Sequence, residues 1–287
     1  MKSLFFKFTA ILLTLGLSSL SDMEENINTQ SFQGKAYYLS KSKMDLGTWG
    51  SRLSEGQKKE IEARMKNRLQ KSYVLTFNKE ESFFNEEDKL DAMSGATDSW
   101  GKNFAPGDQY KNVKTNSQIQ NQEFYGKNFL VNDSLQPITW IMGKETKQIG
   151  NYLCFKATAS IPSDELTWFN FSWSKLRNTN STKAKTDSIQ GDSKTDEIAM
   201  TDVEAWYAPQ IPVSHGPLEY WGLPGLILEV SSGNTTMLCT KIVMNPEDKM
   251  EIKAPEKGTL VTKMEYQEII SKKMQEFRNN RGGRGRG

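Results

Sequence analysis

Apolar and polar positions alternate through "GKAYYLSKSKMD", which predicts a strand at the start of the folded part. The period then lengthens. Ile61, Met65 and Leu69 recur every fourth residue behind Ser54 and Gln57, which stand at capping-box spacing, so a helix is predicted there. Glu60 with Arg64 and Glu62 with Lys66 are i,i+4 pairs on its wet side. "SYVLTFNKEESFFNEE" returns to period two and reads as a strand pair, with Tyr73, Leu75 and Phe77 on one face. From Asp91 to Gln122 the chain is rich in Gly, Asn, Ser and Asp without a period, and is read as a long loop. "EFYGKNFLV", "ITWIMGKETKQIG" and "NYLCFKATAS" are further strands, and "TWFNFSWSKL" is another, with Phe169, Phe171 and Trp173 on one face.

Between Arg177 and Glu197 only Ile189 is large and apolar, so this stretch is expected to be a mobile surface loop. "VEAWYAPQIP" is a strand whose prolines allow an edge position or a strand end. Pro224-Gly225 fits the centre of a type II turn, with proline presetting φ and glycine accepting a positive φ. Leu226 to Val230 then form a strand, Ser231 to Asn234 turn the chain, and Thr235 to Met244 come back antiparallel. Near the end Thr262 and Glu265 make a second capping box, with Val261 and Tyr266 at the hydrophobic-staple positions. Tyr266, Ile269, Ile270, Met274 and Phe277 are that helix's core stripe.

The ends change the picture. Lys2 and Lys7, the apolar run Phe8 to Leu17, and Ser19 and Ser21 before Asp22 form the pattern of a secretory signal peptide over residues 1–21. The apolar run is shorter than the ~20 residues a membrane span takes. The expected product is an exported domain over residues 22–277, located in the periplasm or at the outer membrane, followed by an Arg/Gly tail over 278–287. The formal charge of +2 falls to zero without the signal and to about −4 without Arg278, Arg281, Arg284 and Arg286. Such a body makes no electrostatic case for nucleic acid; the tail suits anionic headgroups or an acidic partner.

Candidate chemistry is sparse. His215 is the one histidine, and there is no G-x-S-x-G elbow, H-E-x-x-H helix or Walker spacing. Cys154 or Cys239 with His215 is a formal nucleophile pair, but both cysteines lie in apolar strand patterns, where thiols are inert. Those cysteines are a possible disulfide if their strands are neighbours, or two buried thiols; both alternatives stay open. Met237, Cys239 and Met244 with His215 are read as core packing, so no metal and no cofactor is expected. Glu80 and Glu81 read as surface charge. Aromatics crowd the proline turns, which makes Trp206, Tyr207, His215, Tyr220 and Trp221 the candidate binding residues.

"GLPGLI" (Gly222, Leu223, Pro224, Gly225, Leu226, Ile227) resembles the signature of the GLPGLI family, exported proteins of Bacteroidetes. "IGNYLCFKAT", "AWYAPQIPVSHGPLEYWGLPGLILEV" and "TTMLCTKIVMNP" extend the likeness over roughly Trp140 to Pro246, apart from the stretch between Thr179 and Asp196. The resemblance implies export, a β-rich fold and a possible outer-membrane protein or transporter as partner. The expected fold class is α+β, mainly antiparallel β, as a curved sheet or sandwich with a helix near each end packed on it. The expected role is a non-enzymatic envelope binding or accessory protein. Alternatives are a carrier holding an apolar ligand in a groove of the sheet, and an envelope enzyme.

Overall fold

The computed structural model describes residues 32–44, 46–87, 105–171, 199–247 and 250–282. The expectations for the signal peptide, the stretch 177–197 and the last five residues of the tail lie outside them. Twelve strands form one open sheet in the order β12-β6-β5-β4-β3-β2-β1-β11-β10-β9-β8-β7. In chain order these are β1 (Gln33–Ser42), β2 (Gln70–Asn78), β3 (Glu81–Glu86), β4 (Gln109–Asn112), β5 (Ser117–Phe124), β6 (Lys127–Ser134), β7 (Ile141–Ile149), β8 (Tyr152–Pro162), β9 (Met200–Ala208), β10 (Leu226–Ser232), β11 (Thr235–Met244) and β12 (Thr259–Val261). Neighbours are antiparallel, except that β12 lies parallel to β6. Among the described residues four helices accompany them: α1 (Gly47–Gly50), α2 (Glu55–Leu69), α3 (Ser163–Leu166) and α4 (Lys263–Gly282). The mainly antiparallel α+β expectation is met.

Local signals place several elements as expected. Ser54 caps α2 with the reciprocal Gln57 bonds. At α4, Glu265 N–H donates to Thr262 Oγ1 at 3.2 Å, and the Glu265 carboxylate accepts from Thr262 N–H at 2.7 Å. Helix α4 buries Tyr266, Ile270 and Met274 with Phe124, Phe129, Val131, Trp168 and Val261. The stripe of α2 is only half-buried. The hairpin β10–β11 turns at Gly233, where φ is +54°.

Two expectations are corrected. The later part of the supposed loop holds the strands β4 (109–112) and β5 (117–124), joined by a turn, while 91–104 lie outside the described residues. "TWFNF" is no strand: after α3 the chain turns through 167–169 and drops Trp168 against Tyr266, ring centres 5.8 Å apart. Of the two alternatives for the cysteines the structure holds the second, since their strands β8 and β11 are separated by β9 and β10. Cys154 and Cys239 are free, buried thiols.

The larger core is formed by the inner faces of β1–β3 and β8–β11 and closed by Ile211, Val213, Tyr220 and Leu223. The smaller is the α4 cluster on β5 and β6. Between them the sheet changes character. One inner row runs Leu75, Phe84, Gln109, Gln120, Val131 across five strands; the next runs Phe77, Ser82, Lys111, Gln118, Asp133. Each row passes from apolar into polar residues, and the upper one returns to apolar. Ser82, Gln109, Lys111, Gln118, Gln120 and Gln122 are all buried, so a polar seam divides the two cores.

Candidate functional site

What covers the seam is the loop "SHGPLEYWG" ahead of β10. Lys111 projects from β4 into this loop, fully buried. Its Nζ donates to the carbonyls of Leu218 at 2.6 Å, Gly216 at 2.7 Å and Tyr220 at 3.4 Å. Three carbonyls thus converge on one ammonium. Leu218 sits at φ +47°, a left-handed conformation costly for a leucine, and its carbonyl takes the shortest of these bonds. Burial pushes the Lys111 pKa down to about 7, against the opposing pull of the Glu219 carboxylate.

Glu219 is the second anchor. Its Oε1 accepts from Trp168 Nε1 at 3.0 Å and from Gln109 and Gln118 Nε2, each at 3.2 Å. Oε2 faces Lys263 Nζ at 3.6 Å, and that ammonium also lies 5.6 Å from the Trp168 ring centre. One carboxylate therefore gathers β4, β5, the turn after α3 and the first residue of α4. The gathering is incomplete. Gln109 Oε1, Gln118 Oε1, Lys263 Nζ and Tyr266 OH are buried without a hydrogen-bond partner among the described residues.

His215 is buried with no exposed surface. Its Nε2–H donates to the Asn78 carbonyl at 3.1 Å, which leaves Nδ1 bare and buried. Burial, then the nearby Lys111 charge, drives its pKa down to about 3, outweighing the Asn78 bond. It is a neutral structural imidazole. The thiols are equally committed: burial raises Cys154 to about 11 and Cys239 to about 12. At neutral pH neither is a thiolate.

The signature turn differs from the expected one. Gly225 is absent from the positive-φ positions, which include Gly222 at +92°. Gly225 N–H bonds back to the Leu223 carbonyl at 2.8 Å, so the chain folds in a three-residue turn about Pro224. Glycine at 225 is needed for space: a Cβ there would stand 2.5 Å from the Ala208 carbonyl oxygen. Pro212 centres a matching turn, with Val213 N–H to Ile211 O at 2.8 Å. Leu223, Leu226 and Ile227 are buried, and Tyr38 OH donates to Ile227 O at 2.7 Å.

The five candidate binding residues do not share one surface. His215, Tyr220 and Trp221 belong to the seam-covering loop; Trp221 Nε1 donates to Gln136 O at 2.7 Å, and its own carbonyl accepts from Trp140 Nε1 at 2.8 Å. Trp206 and Tyr207 are consecutive on β9 and point to opposite faces. Trp206 lies beneath Lys147 and Lys156, at 5.2 and 5.8 Å, while Tyr207 packs on Phe155 at 6.1 Å. None lines the two surface grooves described here. One, about 540 Å³, is lined by Ile141, Thr158, Ser160, Asp202, Glu204 and Ser231. The other, about 360 Å³, lies between β12 and α4 and is lined by Leu260, Val261, Glu265, Glu268, Ile269 and Lys272. Among the described residues no group of three or more His, Cys, Asp or Glu side chains is placed to hold a metal ion.

Sequence reasoning missed Lys111, Glu219, Gln109, Gln118 and Lys263. Gln109, Lys111 and Gln118 lie about a hundred residues from their partners along the chain and Lys263 lies 44 from Glu219, and no local pattern marks them. The one available signal was Glu219 itself, a lone carboxylate between leucine and tyrosine in a loop otherwise built for burial.

Residues 140–229, from the start of β7 into β10, match the model of a family described as a protein of unknown function (Porph_ging). That stretch contains the whole loop and the turn. No curated protein matches the chain. Among solved structures it is similar to PNGF-II in the C2 space group, at 14% identity and TM-score 0.46, and to PNGF-II in the P21 space group, at 14% and 0.45. In both, 84% of this chain is covered, and it spans about a third (33%) of the PNGF-II chain.

Proposed function

We propose that this is an exported, non-enzymatic protein of the cell envelope that binds a protein partner, as an accessory to an outer-membrane protein or transporter. The N-terminal pattern of residues 1–21 supports export, and the resemblance to the GLPGLI proteins of Bacteroidetes supports the compartment. One observation carries the binding role. The sheet is open, and large exposed apolar side chains stand at the two edges that no described strand pairs: Ile141 (68% exposed) on β7, and Leu260 (66%) on β12, followed by Met264 (69%) in the first turn of α4. Apolar groups beside a free strand edge suit contact with another chain. The groups that a cysteine–histidine hydrolase needs are instead locked away, as a bare imidazole and two protonated thiols. The aromatics that a carrier groove would use are packed into the core, under lysines or into the loop.

The test is site-specific photo-crosslinking in the intact envelope, from position 264. An adduct with an outer-membrane protein, lost in Leu260→Asp, is the expected result. A chain that stays in the cytoplasm with residues 1–21 attached, or that gives no adduct, would sink the proposal.

A further inference from the structure

The β7 edge differs from the β12 edge in length and in charge. All of Ile141 to Gln148 is exposed, so the strand offers a long outer side, broken by an irregularity between Met142 and Thr146, whereas β12 has three residues. On β7, Glu145 reaches Lys156 at 3.1 Å and Lys147 reaches Glu229 at 2.6 Å. Lys147 and Lys156 both lie over the Trp206 ring, so Glu145 and Lys147 project to the same face of the sheet. Both remain open to solvent, with 65% of the Glu145 side chain and 41% of that of Lys147 exposed.

We infer that β7 is the contact between two copies of this chain, paired antiparallel about a two-fold axis through Thr146. The inference rests on the reading of the sheet edges as contact surfaces. In that register Glu145 of each copy stands opposite Lys147 of the other, and the contact is made twice. The internal pairs then join into rows of alternating charge: Glu204, Lys156 and Glu145 of one copy, followed by Lys147 and Glu229 of the second. The edge also carries Lys144, Lys147 and an irregularity between Met142 and Thr146, devices that deter an indiscriminate strand. A second copy brings a second carboxylate to each Lys147, beside Glu229 of its own chain. Closure follows from the same topology. Once the two β7 strands are joined, the short β12 edges are what remains of the described sheet, and the assembly stops at two.

Sedimentation of the purified mature chain across concentrations up to about 0.5 mM tests this directly. A reversible monomer–dimer equilibrium is expected. Glu145→Lys and Lys147→Glu each weaken it by about tenfold or more, and the E145K/K147E double variant dimerises more tightly than either single variant, since the swap recreates the pair across the axis while setting like charges beside Lys156 and Glu229 within each copy. Thr146→Cys places two thiols across the axis and gives a disulfide-linked dimer on mild oxidation, a readout independent of the charge variants. A monomer at every concentration overturns the inference. So does a dimer that ignores both reversals, or a T146C variant that stays unlinked. The envelope adduct from position 264 reports on the partner reading alone, so either idea can fail while the other stands.

Discussion

A buried ammonium is tolerable only where acceptors are fixed in place, and at Lys111 a single loop supplies three carbonyls. Lys111→Met keeps the length and removes the charge, and leaves three carbonyls short of a donor. Chemical denaturation should show a loss of about 3–5 kcal/mol. His215 gives a pH signature. Its ordinary pKa of 6.5 applies unfolded, and about 3 applies folded. Between these values only the unfolded chain takes up the proton, so stability is fully present above pH 6.5 and falls as the pH drops toward 3. The loss is ~2.7 kcal/mol at pH 4.5 from this residue. In His215→Gln the amide keeps the bond to the Asn78 carbonyl, and the stability–pH slope between 4.5 and 6.5 should flatten. An unchanged slope would mean that the imidazole is charged in the fold. Lys111 acts at the other end: with about 7 folded and 10.5 unfolded, it makes stability rise as pH goes from 7 to 10.5.

Elements in this protein are shaped as much by what lies opposite as by their own pattern. Strand β5 reads "SQIQNQEF", and hydropathy would turn Ile119 inward. The structure buries Gln118, Gln120 and Gln122 and leaves Ile119 half-buried on the other face. The inversion follows from the cover, because this part of the sheet faces a carboxylate and a row of carbonyls. Amide donors serve there, and an isoleucine would not. The turn ahead of β10 shows the same dependence. Gly222→Ala strains a positive φ while its methyl meets only an ordinary contact, Trp140 Nε1 at 3.8 Å, whereas Gly225→Ala drives a methyl into the Ala208 carbonyl. Thermal unfolding should show both as destabilising, by about 1 kcal/mol at 222 and about 1–3 kcal/mol at 225. Asparagine should be milder than alanine at 222, since it adopts left-handed backbone, and no better at 225. Equal ranking at the two sites would refute the separate causes.

At the scale of the molecule, two apolar cores are joined across a polar seam, and Glu219 is the residue that touches both sides. Glu219→Leu removes the acceptor of three buried donors and the partner of Lys263, so loosening should reach β4, β5 and α4 together; hydrogen exchange in those elements should accelerate as a set. The thiols report on the larger core. Cys154 and Cys239 should react with a disulfide reagent only at the rate of global unfolding, at any pH below about 10. Rapid labelling of the native chain would place at least one of them outside the core.

Much of this was legible from residues near one another in the chain. Both capping boxes, the α4 stripe, the β10–β11 hairpin and the β-rich class came from periodicity and turn chemistry, because caps, stripes and tight turns are satisfied within a few residues. Short strands with inverted polarity, such as β4 and β5, carry no such signal and read as loop. The sequence by itself therefore determined the elements whose partners are local. It determined less about "GLPGLI", where glycine was marked as necessary but for the wrong reason. Only the tertiary structure decided that Gly225 is required by the backbone of β9, that the cysteines stand two strands apart, and that Lys111 and Glu219 hold the loop. Each of these depends on which distant strand lies alongside, and an amide, a lysine and a glycine look the same in sequence whatever they face.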